Sequence, residues 1–261
     1  MLKKLIKYDF NWINKVMYIY FAILFIVTII LKVIESIDQN ILIVILDKIM
    51  SGTFIAIIIN TIITCIIRIW VRFVQNLYKD ESYLTHTLPV TKKQLFNSKI
   101  IASILSLLMA ILVVTVCIAI IYLNGTTIYE IKNMYQSLVN IYNAPFAVIF
   151  IIGVVLLILL EVFCIVMVGI FGITIGHRSN NHKMIKSIVV GFLSYIAYNI
   201  ISLIIMLILS EIYSFEITSE TLPKLSTITT IGLTFIISFA IYNFIFYVLS
   251  RHFLNKGVNV E

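Results

Sequence analysis

Apolar residues fill six long stretches of the chain, and polar residues gather between them instead of alternating with them. The stretches are Val16–Ile34, Gly52–Val74, Ile100–Leu123, Pro145–Ile175, Ser187–Leu209 and Ile228–Ser250. As a helix, each is long enough to cross a hydrocarbon core about 30 Å thick, which takes roughly 20 residues. The pattern predicts an all-α integral membrane protein with six transmembrane helices, forming one domain over residues 1–261.

A different pattern precedes the first stretch. Leu2, Leu5, Ile6, Phe10, Ile13 and Met17 follow helical spacing on one side, while Lys3, Lys4, Lys7, Asn11, Asn14 and Lys15 cover the other. This predicts an amphipathic helix over residues 1–15 lying in the membrane interface, with Trp12 at headgroup depth. Two roles are open to it, a surface anchor or a lever against a cytoplasmic partner.

The polar connections differ in charge. Lys3, Lys4, Lys7 and Lys15 precede the first span. Arg68, Arg72, Lys79, Lys92, Lys93 and Lys99 surround the second loop, Arg178, Lys183 and Lys186 the fourth, and Arg251 and Lys256 follow the last span. Only Lys32, Lys48, Lys132 and Lys224 of the 19 basic residues fall on the other side. The positive-inside rule therefore predicts both termini on the cytoplasmic side. The acidic residues Glu35, Asp38, Asp47, Glu130, Glu211, Glu216 and Glu220 lie in the predicted external loops.

Composition excludes a soluble domain, with 61% hydrophobic residues, 12% charged and a mean hydropathy of +1.10. The net charge of +7 belongs to loops that meet anionic headgroups, so no nucleic-acid partner is expected. Cys65, Cys117 and Cys164 each lie inside a span, which predicts neither a disulfide framework nor a redox pair. No cleavable signal peptide is visible. His86, His177, His182 and His252 fall in loops or the tail and read as surface residues, since a metal site needs three or four convergent ligands.

The second loop carries the densest set of local signals. Asp80 and Glu81 suit the first turn of a short helix, where carboxylates oppose the positive end of the dipole. Pro89 forces Leu88 out of helical geometry and stops that helix. Thr91 and Gln94 then form a capping box, with Val90 and Leu95 placed as a hydrophobic staple. The predicted unit, residues 75–99, is an elbow of short helix, proline corner and long helix. Ordering it costs conformational entropy, so it is expected to dock on something.

This elbow resembles that of the ABC type-2 exporter permeases of low-GC Gram-positive bacteria. The residues that carry the resemblance are Asp80-Glu81-Ser82-Tyr83-Leu84-Thr85-His86-Thr87-Leu88-Pro89-Val90, then Lys92, Leu95 and Ser98-Lys99. The overall plan of six spans with an N-terminal interfacial helix is similar as well. The resemblance implies a non-catalytic permease subunit in the bacterial cytoplasmic membrane, with ATP and Mg bound by a separate ABC ATPase. It implies pairing with a second permease copy or a paralogue, and a substrate such as an antimicrobial peptide, drug, lipid or polysaccharide. In such permeases the elbow is a coupling helix seated on the ATPase. That makes Asp80, Glu81, Tyr83, Leu84, Leu88 and Pro89 the expected coupling residues. No phosphate-binding loop of the form GxxxxGK[ST] occurs in the chain, which agrees with an ATPase on another polypeptide. The competing expectation is a standalone ion-coupled secondary transporter.

Polar residues inside the spans are few. Asn60, Thr64, Arg68 and Arg72 recur every four residues and form one stripe on the second span. Arg72 is expected to snorkel to the interface. Arg68 lies deeper, either bonded to a neighbouring helix or lining a polar cavity. Glu161, midway along the fourth span, needs a partner from another helix, either a hydroxyl or Arg68, unless it handles substrate or protons. Gly169, Gly172 and Gly176 give the same helix a small-residue face for close packing. Tyr195, Tyr198, Asn199 and Ser202 on the fifth span, and Ser238, Tyr242, Asn243 and Tyr247 on the sixth, suit interhelical hydrogen bonds. By the resemblance, Asn60, Thr64, Arg68 and Asn199 are pathway candidates, joined by Glu161. Outside the spans, Ile128–Tyr142 reads as an amphipathic surface helix, and Ser210–Ser226 could fold back into the membrane.

Overall fold

The computed structural model describes residues 1–37, 40–79, 81–87, 89–213 and 225–256. The described residues form eight helices: α1 (Leu2–Glu35), α2 (Ile41–Tyr78), α3 (Ser82–Thr87), α4 (Lys92–Tyr122), α5 (Gly125–Ile141), α6 (Ala144–Gly176), α7 (Lys183–Tyr213) and α8 (Leu225–Asn255). Six of them, all but α3 and α5, are long and apolar enough to cross a membrane. This is the build of a multi-pass membrane protein. The suggestion of a fold-back at Ser210–Ser226 falls mostly on 214–224, outside the described residues.

Two boundaries differ from the sequence expectation. No break separates residues 1–15 from the first span, because α1 runs as a single helix of 34 residues. The lysine-rich pattern changes the polarity of its surface without offering a Pro, Gly or cap to end it. The surface helix is found as α5, beginning a little earlier than predicted, at Gly125.

The chain divides into two compact units, Met1–Ile131 and Lys132–Glu261. In the first, α2 runs antiparallel to α1. Leu24 and Leu31 of α1 pack with Phe54 of α2 and with Val114 and Cys117 of α4. Helix α4 runs parallel to α1. Asn14 donates to Ser106 at 2.9 Å, and Lys32 donates to Asn124 at 2.8 Å further along. The Asn124 amide also donates to Glu35 at 2.8 Å, which clamps the far ends of α1 and α4 together.

In the second unit, Cys164 and Val168 of α6 pack against Tyr198 of α7, with Phe239, Tyr242 and Phe246 of α8 around them. The glycine face on α6 meets α7 backbone directly. A β-carbon on Gly176 would lie 2.4 Å from the Ser187 nitrogen, and one on Gly172 would lie 2.8 Å from the Gly191 α-carbon. Only residues without a side chain allow this approach. Asn143 caps α6 by accepting from the Phe146 amide at 2.9 Å, with Pro145 in the first turn, where its missing N–H costs nothing. The outer faces remain apolar, as with Ile149, Ile152, Leu193 and Phe244, all exposed. Hydrocarbon, not water, suits such surfaces.

Candidate functional site

The first unit holds a buried ionic cluster built from four elements. Asp9 falls on the apolar side of α1, in line with Leu5, Ile6, Ile13 and Met17 at helical spacing, and is 3% exposed. A carboxylate there requires partners, because isolated burial of a charge is prohibitive. Arg72 of α2, only 2% exposed, donates its Nε to the Asp9 carboxylate at 2.7 Å. Lys99 of α4 donates to both Asp9 oxygens, at 3.3 and 3.4 Å.

Two cations against one carboxylate leave an excess positive charge. Glu81, in the turn that starts α3, balances it. Its Oε2 accepts from Arg72 Nη1 at 2.7 Å and from the Asn76 amide at 2.9 Å. Burial by itself would raise the Glu81 carboxyl. The hydrogen bonds from Asn76 and Arg72, with the charges of Arg72 and Lys99, outweigh it and hold the group below its ordinary value. Arg72 also faces the rings of Tyr8 and Trp12 at 5.0 and 5.1 Å. Arg68, one turn away, stacks on Trp12 at 3.8 Å and donates to the Trp12 carbonyl at 3.0 Å. Trp12 thus contacts two guanidinium groups, each contact worth about 0.5–2 kcal/mol.

Several expectations need correction here. Arg72 does not snorkel to the interface; Asp9 and Glu81 supply in the interior what headgroups would supply outside. Lys99 belongs to the core of the unit, not to a solvated loop. Glu81 turns back to α2 and stands before α3 instead of in its first turn. Asn14 faces Ser106 in the interior, not solvent. His177 is buried, with its Nδ1 3.1 Å from the Ile173 carbonyl and 3.2 Å from the Ser187 hydroxyl, because the close approach of α6 and α7 encloses it.

Beyond Glu81, the predicted capping box is present. Gln94 N–H donates to Thr91 at 3.2 Å, and Thr91 N–H donates to the Gln94 side chain at 3.3 Å. Pro89 stands in the bend between α3 and that cap. Tyr83 and Leu84 point outward, 81% and 75% exposed. Asp80 and Leu88 lie outside the described residues.

The remaining candidates do not converge. On α2, Thr64 donates to the Asn60 side chain at 3.3 Å on an exposed stretch that continues the Arg68 stripe. In the second unit, Glu161 accepts from the Tyr198 hydroxyl, so its partner is a hydroxyl on a neighbouring helix. Tyr242 stacks edge-on against Tyr198 at 4.9 Å, and Asn243 donates to the Leu160 carbonyl at 3.1 Å. Asn199 is exposed and donates to its own helix, to the Tyr195 carbonyl at 2.8 Å. Among the described residues, no three His, Cys, Asp or Glu side chains are grouped to hold a metal ion.

Asp9, the centre of the cluster, was not among the residues singled out from sequence. The signal was present, as a single carboxylate at an apolar position in an otherwise lysine-rich segment. Comparison with protein-family models, curated proteins and solved structures finds no match to this chain.

Proposed function

We propose that the chain is the permease subunit of an ATP-binding-cassette exporter, with both termini and α3 on the cytoplasmic side. Helix α3 is its coupling helix. A separate ATPase binds ATP and Mg, and a second permease copy or a paralogue completes the pathway. What supports this reading is the ionic cluster. Glu81 sits at the root of α3 and is bonded to α2, while Arg72 and Lys99 connect α2 and α4 to Asp9 of α1. Displacing α3 strips the compensating carboxylate from a buried pair of cations. A push on α3 therefore reaches three long helices at once. The exposed Tyr83 and Leu84 give a nucleotide-driven partner an apolar handle.

In this mechanism, ATP closes two ATPase subunits, α3 moves with them, and the paired permeases open outward. The test is affinity capture of the tagged chain from its native membrane, followed by mass spectrometry. An ATPase with phosphate-loop motifs should accompany it. Recovery without any ATPase, together with transport that survives ATP depletion and depends on a pH gradient, would overturn the proposal. That outcome would favour the ion-coupled transporter, for which the Glu161–Tyr198 contact inside the helices is the supporting observation.

A further inference from the structure

Helices α1 and α4 enclose an open groove of about 530 Å³, within the roughly 300–1,000 Å³ typical of small-ligand sites. Its walls differ in chemistry. Helix α4 contributes only Leu105, Leu108, Met109 and Leu112. Helix α1 contributes Ile6 and Phe10 together with Lys3 and Lys7. The lining has no carboxylate, and neither lysine takes part in the ion pairs found among the described residues. An uninterrupted hydrocarbon wall facing a pair of unneutralised cations is complementary to an amphiphile with an anionic head.

We propose that this groove holds an acyl chain of one anionic phospholipid, with its phosphate on Lys3 and Lys7. This goes beyond the exporter reading and does not depend on it. The lysines stand one turn apart on α1, as do Ile6 and Phe10, so one helix presents a charged row beside an apolar one. The flexible stems of the lysines let their ammonium groups reach headgroup depth while the stems cover the chain below. The bound lipid would fill the groove between α1 and α4 and neutralise the cations of Lys3 and Lys7.

The experiment uses the full chain in nanodiscs of equimolar phosphatidylglycerol and phosphatidylcholine, extracted gently and weighed by native mass spectrometry. Wild type should retain one phosphatidylglycerol in preference to phosphatidylcholine. Each lysine should carry roughly a fivefold effect, so K3Q with K7Q should reduce the preference by an order of magnitude or more. Leu108→Trp, which fills the groove, should reduce retention of either lipid. Lys4→Gln, beside the site but not in its lining, should change nothing. Equal retention of the two lipids by wild type would overturn the proposal. So would full retention in both the lysine and Leu108 variants, loss in Lys4→Gln equal to that in the lysine pair, or a lipid-free dimer in which a second copy fills the groove.

Discussion

Asp9 illustrates how one residue sets the character of a helix end. It is the shared acceptor of a buried arginine and a buried lysine, so removing it leaves both cations without their common partner. Breaking one side of a buried pair costs about 3–5 kcal/mol. Asp9→Asn should lower the stability of the purified protein by that amount in thermal unfolding. Lys99→Met should cost less, because Arg72 then keeps both carboxylates. A larger loss for Lys99→Met would mean that Asp9 answers chiefly to Lys99. Glu81 gives the cluster its pH dependence. Its folded carboxyl lies below the ordinary 4.5, so its stabilising contribution is complete above that value. The contribution is lost as pH falls through the lower, folded value. The melting-temperature difference between wild type and Glu81→Gln should therefore be constant from neutral pH to about 5 and shrink in more acid solution. A difference independent of pH down to full protonation would exclude an ionised Glu81 as the link.

At the scale of elements, close packing and exposure predict opposite results for similar substitutions. Gly176→Ala would place a β-carbon 2.4 Å from α7 backbone, which no rotamer can relieve. The resulting overpacking should cost about 1–3 kcal/mol. Gly52→Ala, with nothing within 4 Å of its added β-carbon, should stabilise α2 by about 0.5–1 kcal/mol. Thermal unfolding of the two variants tests the contrast directly. Helix α3 makes the same argument for function. Tyr83→Ala with Leu84→Ala should leave stability within about 0.5 kcal/mol of wild type, because both side chains are exposed. Yet it should uncouple a partner's ATP hydrolysis from transport, since burying two such side chains is worth roughly 3–6 kcal/mol at an interface. Coupling that survives the double change would remove α3 from that role.

These elements also show what could be read from sequence and what could not. Six spans, the capping box at Thr91 and the surface helix α5 follow from local periodicity and local hydrogen-bonding chemistry. The Asp9 cluster does not, because its members lie on α1, α2, α4 and the turn before α3. A charge near a helix end looks alike in sequence whether it reaches headgroups or a distant carboxylate. His177 escaped for the same reason, since its burial depends on the approach of α7 at Ser187.

For the whole molecule, the proposed function stands on orientation, and orientation rests on the asymmetry of lysine and arginine between connections. If all six apolar helices cross, residues 1 and 255 and the 177–182 connection are expected to face one side of the membrane and residue 133 the other. Single cysteines introduced on a background of three buried native thiols can report this with a membrane-impermeant maleimide. Asn133 is a suitable outer position, being exposed on α5. Asn124 is less suitable, because its amide joins Glu35 and accepts from Lys32. In intact cells Asn133→Cys should label, whereas Ser179→Cys and Asn255→Cys should label only after the membrane is opened. The reversed pattern would place α3 outside the cell, where no ATPase could reach Tyr83 and Leu84. Labelling of Asn133→Cys and Asn255→Cys from outside in the same cells would require an even number of crossings between them and remove at least one of α6, α7 and α8 from the membrane.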